Sequence, residues 1–405
     1  MASVGLAIAS FPRIAAAGDD PDNDTRWSIE GETEVSSGTL SGHGTLREDA
    51  VFAEVGVQAK PQREIHDHWR LTLPTEARYR HTWLAPLREL QGELGPNLSF
   101  KPVKQWEFEV EGGADGRYRP GWPDQYQVRP DGSLAPTDRF SSWAVHGGGS
   151  VRWGSFKKTR IKIAYELTRV DYLDDPAYDP NEEPTHLVPS DRWEHSVKLD
   201  GHRRWGNVSV KPGLDIEYKH YLNAYARDAG TGLTHAGAGG APPNPVLRVW
   251  DVKPGVRVEV VAIEDRLTIT PGYVHEVSVD IYDGYYSYQG PHASLDVECE
   301  LGKRWTADLD ADLELRRYGS GSYAEGGAHP PLESGSRRRE REFDVDLDVA
   351  YALTDHWSLF ARAGWLTKAS NLPDYVPGAY PAGRQYSIDW DYTNADASVG
   401  VRYGF

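Results

Sequence analysis

The sequence is poor in sulfur and in basic residues. Among 405 residues there is one methionine and one cysteine, Cys299, which excludes an intramolecular disulfide and a zinc site built from several cysteines. The chain has 44 Lys and Arg against 61 Asp and Glu, giving a formal net charge of −17. Binding to nucleic acid by phosphate neutralisation needs a basic surplus, so we predict that nucleic acid is not a partner.

Long apolar runs are also missing. After the first 20 residues, no stretch approaches the roughly 18 apolar residues of a membrane helix, and the mean hydropathy is −0.61. These values suit a soluble protein, while the 14 Trp and 22 Tyr argue against a disordered one. They also suit a transmembrane β-barrel, because only one face of each barrel strand is apolar.

The first 17 residues, MASVGLAIASFPRIAAA, predict an export signal. An apolar stretch precedes Ala15, Ala16 and Ala17, which form a small-residue cleavage site. The usual basic start is absent, so we expect a truncated beginning; a short tail without a targeting role is the alternative. We predict a short periplasmic leader over 18–25 and one barrel domain over 26–405.

From Trp27 onward, apolar and polar residues alternate, as in Val51, Ala53, Val55 and Val57. This period predicts half-buried strands, and no segment of a dozen residues has the period of a helix. Many of the alternating runs are longer than the strands usual in soluble domains and long enough to cross a bilayer when tilted. The pattern predicts an all-β chain.

The connections between the predicted strands are of two kinds. The predicted tight connections are 61–66, 154–157, 201–205, 262–265, 302–304 and 354–356. The predicted long connections, rich in Gly, Pro and charge, are 121–139, 172–192, 223–245, 319–340 and 368–389. Alternation of short and long connections is typical of outer-membrane barrels. With the weak segment 97–104 counted as a strand, we predict a transmembrane antiparallel up-and-down barrel of about 16 strands, within a range of about 14–18.

The last strand, NADASVGVRYGF, alternates in the same way and has Tyr403 and Phe405 at its end. Here the sequence resembles the Gram-negative outer-membrane β-barrel (porin-like) family. The last strand matches the family's terminal motif, and the predicted architecture of 27–405 matches the family's barrel. The resemblance implies that Tyr403 and Phe405 form a signal for the barrel-assembly machinery. It also implies residence in the outer membrane of a Gram-negative bacterium, with membrane lipid and lipopolysaccharide as partners.

The polar face of several late strands is acidic, whereas the opposite face is apolar. So many carboxylates do not tolerate a dry core, and we expect them to face water inside the barrel. The candidate acidic pore-lining residues are Asp296, Glu298, Glu300, Asp308, Asp310, Asp312, Glu314, Asp344, Asp346 and Asp348. The candidate basic ones are Arg70, Arg78, Arg117, Lys211, Lys253, Arg257, Arg362 and Arg402, predicted to form a partly basic opposing wall. A closed lumen filled by salt bridges is the alternative.

Aromatic residues fall into two groups. Trp residues near the strand ends predict girdles at the membrane interfaces. A second group lies in or beside the predicted extracellular loops and suits stacking on sugar rings: Tyr282, Tyr285, Tyr286, Tyr288, Tyr375, Tyr380, Tyr386, Trp390 and Tyr392.

No combination of nucleophile, base and orienting group can be assembled from the sequence, and no metal-ligand spacing is convincing. We therefore predict no enzyme activity, no cofactor and no metal. The leading hypothesis is a channel for hydrophilic solutes, more specifically for sugars or a secreted polysaccharide. The chain is similar in size to exopolysaccharide-export barrels, which implies periplasmic export components as partners. A general diffusion porin, a barrel hydrolase and a closed surface-binding barrel are the alternatives.

Overall fold

The computed structural model describes residues 27–43, 50–66, 68–83, 88–120, 122–128, 134–137, 141–155, 158–173, 191–226, 245–263, 266–282, 284–319, 337–371 and 392–405. The predicted export signal and leader therefore lie outside the described residues. Within the described ranges, no helix is long and apolar enough to cross a membrane.

The described part of the chain forms twenty strands. In chain order they are β1 Trp27–His43, β2 Ala50–His66, β3 Trp69–Thr72, β4 Thr75–Thr82, β5 Arg88–Leu94, β6 Asn97–Val103, β7 Trp106–Tyr118, β8 Trp122–Val128, β9 Leu134–Thr137, β10 Ser142–Gly154, β11 Thr159–Tyr172, β12 Arg192–Trp205, β13 Val208–Tyr225, β14 Val246–Ile263, β15 Leu267–Asp280, β16 Tyr288–Leu301, β17 Trp305–Tyr318, β18 Arg339–Ala352, β19 Trp357–Ser370 and β20 Tyr392–Gly404.

These strands close into a barrel. Successive barrel strands pair antiparallel, and β20 pairs with β1 from Gly404 opposite Glu32 to Thr393 opposite His43. Two barrel strands consist of two segments each, β3 with β4 and β5 with β6, while β8 and β9 form a separate hairpin. The result is a closed antiparallel barrel of 16 strands, which confirms the predicted fold class and strand number.

Several details of the predicted strand pattern are wrong. The predicted connection 121–139 contains two strands, β8 and β9. Residues 61–66 belong to β2, because the pairing of β2 with β1 continues past Pro61, which lies opposite Ile29. Residues 201–205 belong to β12, because the turn comes later, at Gly206, where φ is +57° and glycine is favoured. The weak segment 97–104 does form a strand, β6, but Arg88–Leu94 was missed as the other half of the same barrel strand.

The two ends of the barrel differ in their connections. At one end, the tight-turn end, the strands are joined through 67–68, 104–105, 155–158, 206–207, 264–266, 302–304 and 353–356. At the other, the long-loop end, the longest connections are 119–141, 173–191, 226–245, 319–338 and 371–391. Trp27 and Phe405 both lie at the tight-turn end, where the backbone N–H groups of Gly31 and Phe405 each donate to the other residue's carbonyl.

The outer face of the barrel is apolar. Val110 is 65% exposed and Ile163 54%, and their outward set alternates along the strands with the polar, inward set. A closed barrel leaves no unpaired strand edge and presents this apolar face to lipid.

Aromatic rings form a girdle around the tight-turn end. The rings of Trp69 and Phe100 stack at 4.4 Å, and similar pairs join Trp305 with Tyr351 and Trp357 with Tyr403, both at 4.8 Å. At the long-loop end, Trp193, Trp250 and Trp365 are exposed on the same outer face. Aromatic residues at both rims of an apolar band are typical of membrane interfaces. These features are those of a transmembrane β-barrel.

Candidate functional site: the inner wall of the barrel

The predicted acidic residues of β16, β17 and β18 lie in direct register. Residues paired across antiparallel strands share a face of the sheet, and here acid stands opposite acid. The pairs are Asp296 with Asp310, Glu298 with Asp308, Asp310 with Asp346, Asp308 with Asp348, Asp312 with Asp344, and Glu314 with Glu342. Because the other face of these strands carries Leu309, Leu313 and Leu347 toward lipid, the carboxylates face the lumen.

One further carboxylate joins this group from the closing strand. Asp396 of β20 pairs with Gly364 of β19, which in turn pairs with Asp346 of β18. A Cβ atom placed on Gly364 would lie 2.5 Å from Oδ1 of Asp396 and 2.8 Å from Oδ1 of Asp346. The two carboxylates therefore converge over the bare backbone of Gly364, which leaves room for both.

We call Asp296, Glu298, Asp308, Asp310, Asp344, Asp346 and Asp396 the acidic wall. Within the described ranges, none of its carboxylates forms an ion pair with a Lys, Arg or His side chain. Like charges placed directly opposite each other in a sheet are destabilising. Such a group needs water or mobile cations around it, because an uncompensated carboxylate in a dry interior costs several kcal/mol.

Two arginines beside the acidic wall are engaged elsewhere. Arg362 donates to Oδ2 of Asp348 at 2.6 Å and, across β20, to both oxygens of Glu34 at 2.6 and 2.9 Å. Arg402 lies 2.8 Å from Glu32 and 3.4 Å from Glu34. These two predicted pore-lining arginines thus hold the barrel seam between β19 and β1, beside the acidic wall.

A second stretch of the inner wall, from β2 to β11, has a different character, and it includes β7, which lies half-way round the barrel from β17. There, buried acids on β2, β5 and β7 each have cations as neighbours. Oε2 of Glu54 accepts from Nε of Arg80 at 2.7 Å, and Oε1 of Glu54 lies 3.5 Å from Arg78. Glu89 lies 3.1 Å from both Arg117 and Arg119. Glu107 and Glu109 are compensated in the same way by Lys101, Arg152 and Lys162. We call this group the paired wall.

The paired wall modifies the prediction of a basic wall across the pore. Arg117, on β7, lies half-way round the barrel from β17. Arg78, on β4, lies two barrel strands from Arg117 in the direction of β1. Both are neutralised by Glu89 or Glu54 on adjacent strands. The opposing wall is therefore charge-compensated, and the asymmetry of the lumen comes mainly from the acids.

The other predicted inner residues occupy separate places. Lys211 contacts Glu259, Lys253 lies 2.9 Å from Glu276, and Arg70 lies 3.0 Å from Glu64 near the tight-turn end. Arg257 pairs with Gly272, which in turn pairs with Ser294 of β16. Glu300 continues the acidic face of β16 toward the tight-turn end, and Glu314 is held by Arg316. Asp312 differs from its acidic neighbours, since it lies 2.6 Å from Nε2 of His292.

At the long-loop end the inner wall carries tyrosines covered by arginines. The guanidinium of Arg338 lies 4.2 Å from the ring centre of Tyr318, whose hydroxyl donates to Glu340 at 3.2 Å. Burial alone would lower the pKa of Arg338, which precedes β18, but its neighbours Tyr318 and Glu340 raise the pKa above its ordinary value. The arginine therefore stays charged and covers the ring.

The aromatic residues predicted to stack on sugars fall into several environments. Tyr288 packs against Tyr318 with ring centres 5.4 Å apart, and Arg316 lies over it. Tyr285 is only 6% exposed and packs edge-on against Tyr286, while Tyr282 is exposed. Tyr375, Tyr380, Tyr386 and Trp390 lie outside the described residues, as does the side chain of Tyr392.

No group of three potential metal-ligating side chains lies together in the described part of the chain. Cys299 is on the apolar outer face, paired with Leu267 and Ala307. The arrangement that stands out is therefore electrostatic. Among the described residues, the acidic wall has no counter-ions, whereas the acids of the paired wall have them.

Comparison with known proteins gives only structural neighbours. No family model matches the sequence, and no curated protein matches it. Among solved structures, the chain is similar to OmpT of Vibrio cholerae, with 12% identity, a TM-score of 0.45 and coverage of 95% of this chain and 98% of that one.

Two further neighbours are the outer membrane protein opdK of Pseudomonas aeruginosa and an anion-selective porin of Comamonas acidovorans. Each has 9% identity and a TM-score of 0.46, with 93% and 94% of this chain covered and 99% and 100% of the other. Because these TM-scores are below 0.5, the assignment to a barrel rests on this chain's own strand pairing and faces.

Proposed function

We propose that this chain is an outer-membrane channel for hydrophilic solutes that favours cations. The observation that carries the proposal is the acidic wall: seven carboxylates on the inner face of a closed barrel, without a counter-ion among the described residues. A barrel of about 16 strands is wide enough to leave an aqueous channel. Water in the lumen supplies the solvation that these acids need.

The preference for cations follows from the sign of the uncompensated charge. A passage lined by one sign of charge between low-dielectric walls concentrates counter-ions and repels ions of the same sign. The paired wall adds little net field because its acids and bases alternate. Cations therefore follow the side formed by β16, β17 and β18, and neutral solutes are not excluded.

Passage of sugars or of a polysaccharide is a finer version of this proposal. Its support is the pair Tyr288 and Tyr318 on the inner wall near the long-loop end. Arg316 and Arg338 already cover these two rings, so we place general hydrophilic solutes first. The predicted exclusion of an enzyme stays a prediction, as do the partners proposed in the periplasm.

The test is the ion selectivity of the folded protein in planar bilayers, measured as a reversal potential in a potassium chloride gradient. We expect wild type to favour potassium over chloride. Replacing Asp308, Asp310, Asp312, Asp344 and Asp346 with Asn should bring the permeability ratio close to one. The single change D310N should give part of this effect, whereas D355N, the same chemical change in the tight connection 353–356, should give none.

Two results would count against the proposal. A folded barrel with no conductance at any voltage would contradict an open lumen and support the closed-barrel alternative. Conductance with a selectivity that the five Asn substitutions leave unchanged would place the acidic wall off the ion path.

A further inference from the structure

The outer face of the barrel carries arginines at the long-loop end of β17 and β18. Arg317 pairs directly with Arg339, and Arg341, two residues further along β18, pairs with Leu315. Their chain neighbours Tyr318 and Glu340 are buried and interact with each other on the inner side, so the three arginines point outward. All three are exposed. We call them the arginine cluster.

The height of the cluster is fixed by the aromatic residues beside it. Phe343, two residues below Arg341 on the same face of β18, packs edge-on against Trp365 with ring centres 5.7 Å apart. Trp365 is 45% exposed and belongs to the aromatic residues at the long-loop rim. Two residues along a strand span roughly 7 Å, so the guanidinium groups lie just outside the apolar band, at the level of lipid headgroups.

The cluster also lacks acidic partners among the residues that the structure describes. Within the described ranges, no ion pair or ring contact involves the guanidinium group of Arg317, Arg339 or Arg341. Two other arginines on the outer rims are held by neighbouring side chains. Arg169 contacts Asp171 and lies 5.5 Å from the ring of Trp193. At the tight-turn end, Arg203 lies 5.1 Å from the ring of Trp205.

A like-charge pair such as Arg317 opposite Arg339 destabilises a sheet unless something neutralises it. Cross-strand neighbours are about 5 Å apart at Cβ and diagonal ones about 7–8 Å, so the three guanidinium groups can reach one anion. Guanidinium groups bind phosphate oxygens with two parallel hydrogen bonds. Gln289 of β16 is exposed opposite Arg317 and adds an amide donor to the same row.

We propose that the arginine cluster is a binding site for the phosphate groups of an anionic lipid in the leaflet that faces the long loops. The position at headgroup height, below which the surface is apolar, favours a phosphate carried on acyl chains over one free in solution. The site is on the outside of the barrel, so it does not depend on whether the lumen conducts.

The experiment measures lipid retention by native mass spectrometry of the full chain, released from detergent micelles that contain bisphosphorylated lipid A. We expect wild type to keep lipid A. The affinity of the variant R317Q/R339Q/R341Q for lipid A should fall by about ten-fold or more. The matched control R63Q/R203Q/R304Q removes three arginines from the tight-turn end and should bind like wild type. Folding of each variant is checked by its mobility on unheated gels. If the triple variant does not fold, the single variant R339Q replaces it. We expect R339Q to bind lipid A more weakly than wild type does.

Two further measurements distinguish a lipid from a free anion. Wild type should retain far less dephosphorylated lipid A, and inorganic phosphate at the same phosphate concentration should not displace the lipid. Equal retention of lipid A by wild type and the folded cluster variant would overturn the proposal. So would equal retention of the dephosphorylated lipid, or full displacement by inorganic phosphate, which would identify a site for free phosphate.

Discussion

The acidic wall and the paired wall are built from the same kind of strand, but their inward charges are arranged differently. On the paired wall, a buried acid such as Glu89 has Arg117 and Arg119 on its flanks. On the acidic wall, Asp310 has Asp296 on one side and Asp346 on the other. The first arrangement stabilises the barrel, while the second costs stability. A feature that costs stability points to function, here to the solutes in the lumen.

The largest expected effect comes from breaking the paired wall. The substitution E89Q keeps the shape of a side chain that is 7% exposed but removes the charge between two arginines. We expect the free energy of unfolding to fall by about 2 kcal/mol, since charged hydrogen bonds are lost and Arg119 is left partly buried. Urea unfolding in lipid vesicles, followed by tryptophan fluorescence, measures this change.

The control for E89Q is E64Q, at the exposed ion pair with Arg70 near the tight-turn end. Exposed pairs contribute about 0–1 kcal/mol, so this variant should unfold nearly like wild type. Equal destabilisation by the two substitutions would remove the distinction between the paired wall and an ordinary surface pair.

A smaller effect of opposite sign should follow when the acidic wall is converted into a paired one. The substitution D346K places a cation between Asp310 and Asp396, above the space that Gly364 leaves open. We expect a gain of about 1 kcal/mol in the free energy of unfolding, together with a loss of cation preference in planar bilayers. The same change at an exposed turn, D355K, should alter neither quantity. Destabilisation by D346K would show that the wall is already compensated.

The sequence could predict the two faces but not the difference between the walls. Period-two alternation is local, so it predicts that Asp308, Asp310 and Asp312 share one face of β17, opposite the face of Leu309 and Leu313. Which residue stands opposite which depends on register, and register depends on turns such as that at Gly206, which was misplaced by several residues. The pairing of Glu89 with Arg119 was out of reach because β5 itself was not recognised.

Asp396 was missed for a related reason. On β20 its polar neighbours are Asn394 and Ser398, so the strand does not read as acidic on its own. Only closure of the barrel, with Gly364 between Asp396 and Asp346, shows that it belongs with the acids of β18. A glycine flanked by acidic strands is a signal that could have suggested this contact.

The smallest effect is also the most discriminating test of the comparison. D310N removes one charge from the middle of the acidic wall, between Asp296 and Asp346, without changing the size of the side chain. Because like charges oppose each other there, we expect the free energy of unfolding to rise by about 0.5 kcal/mol, in contrast to the fall caused by E89Q. Both substitutions neutralise one inward carboxyl group, so they differ only in what surrounds it. A fall as large as that of E89Q would mean that a cation compensates Asp310 permanently, and the acidic wall would then be a structural element like the paired wall.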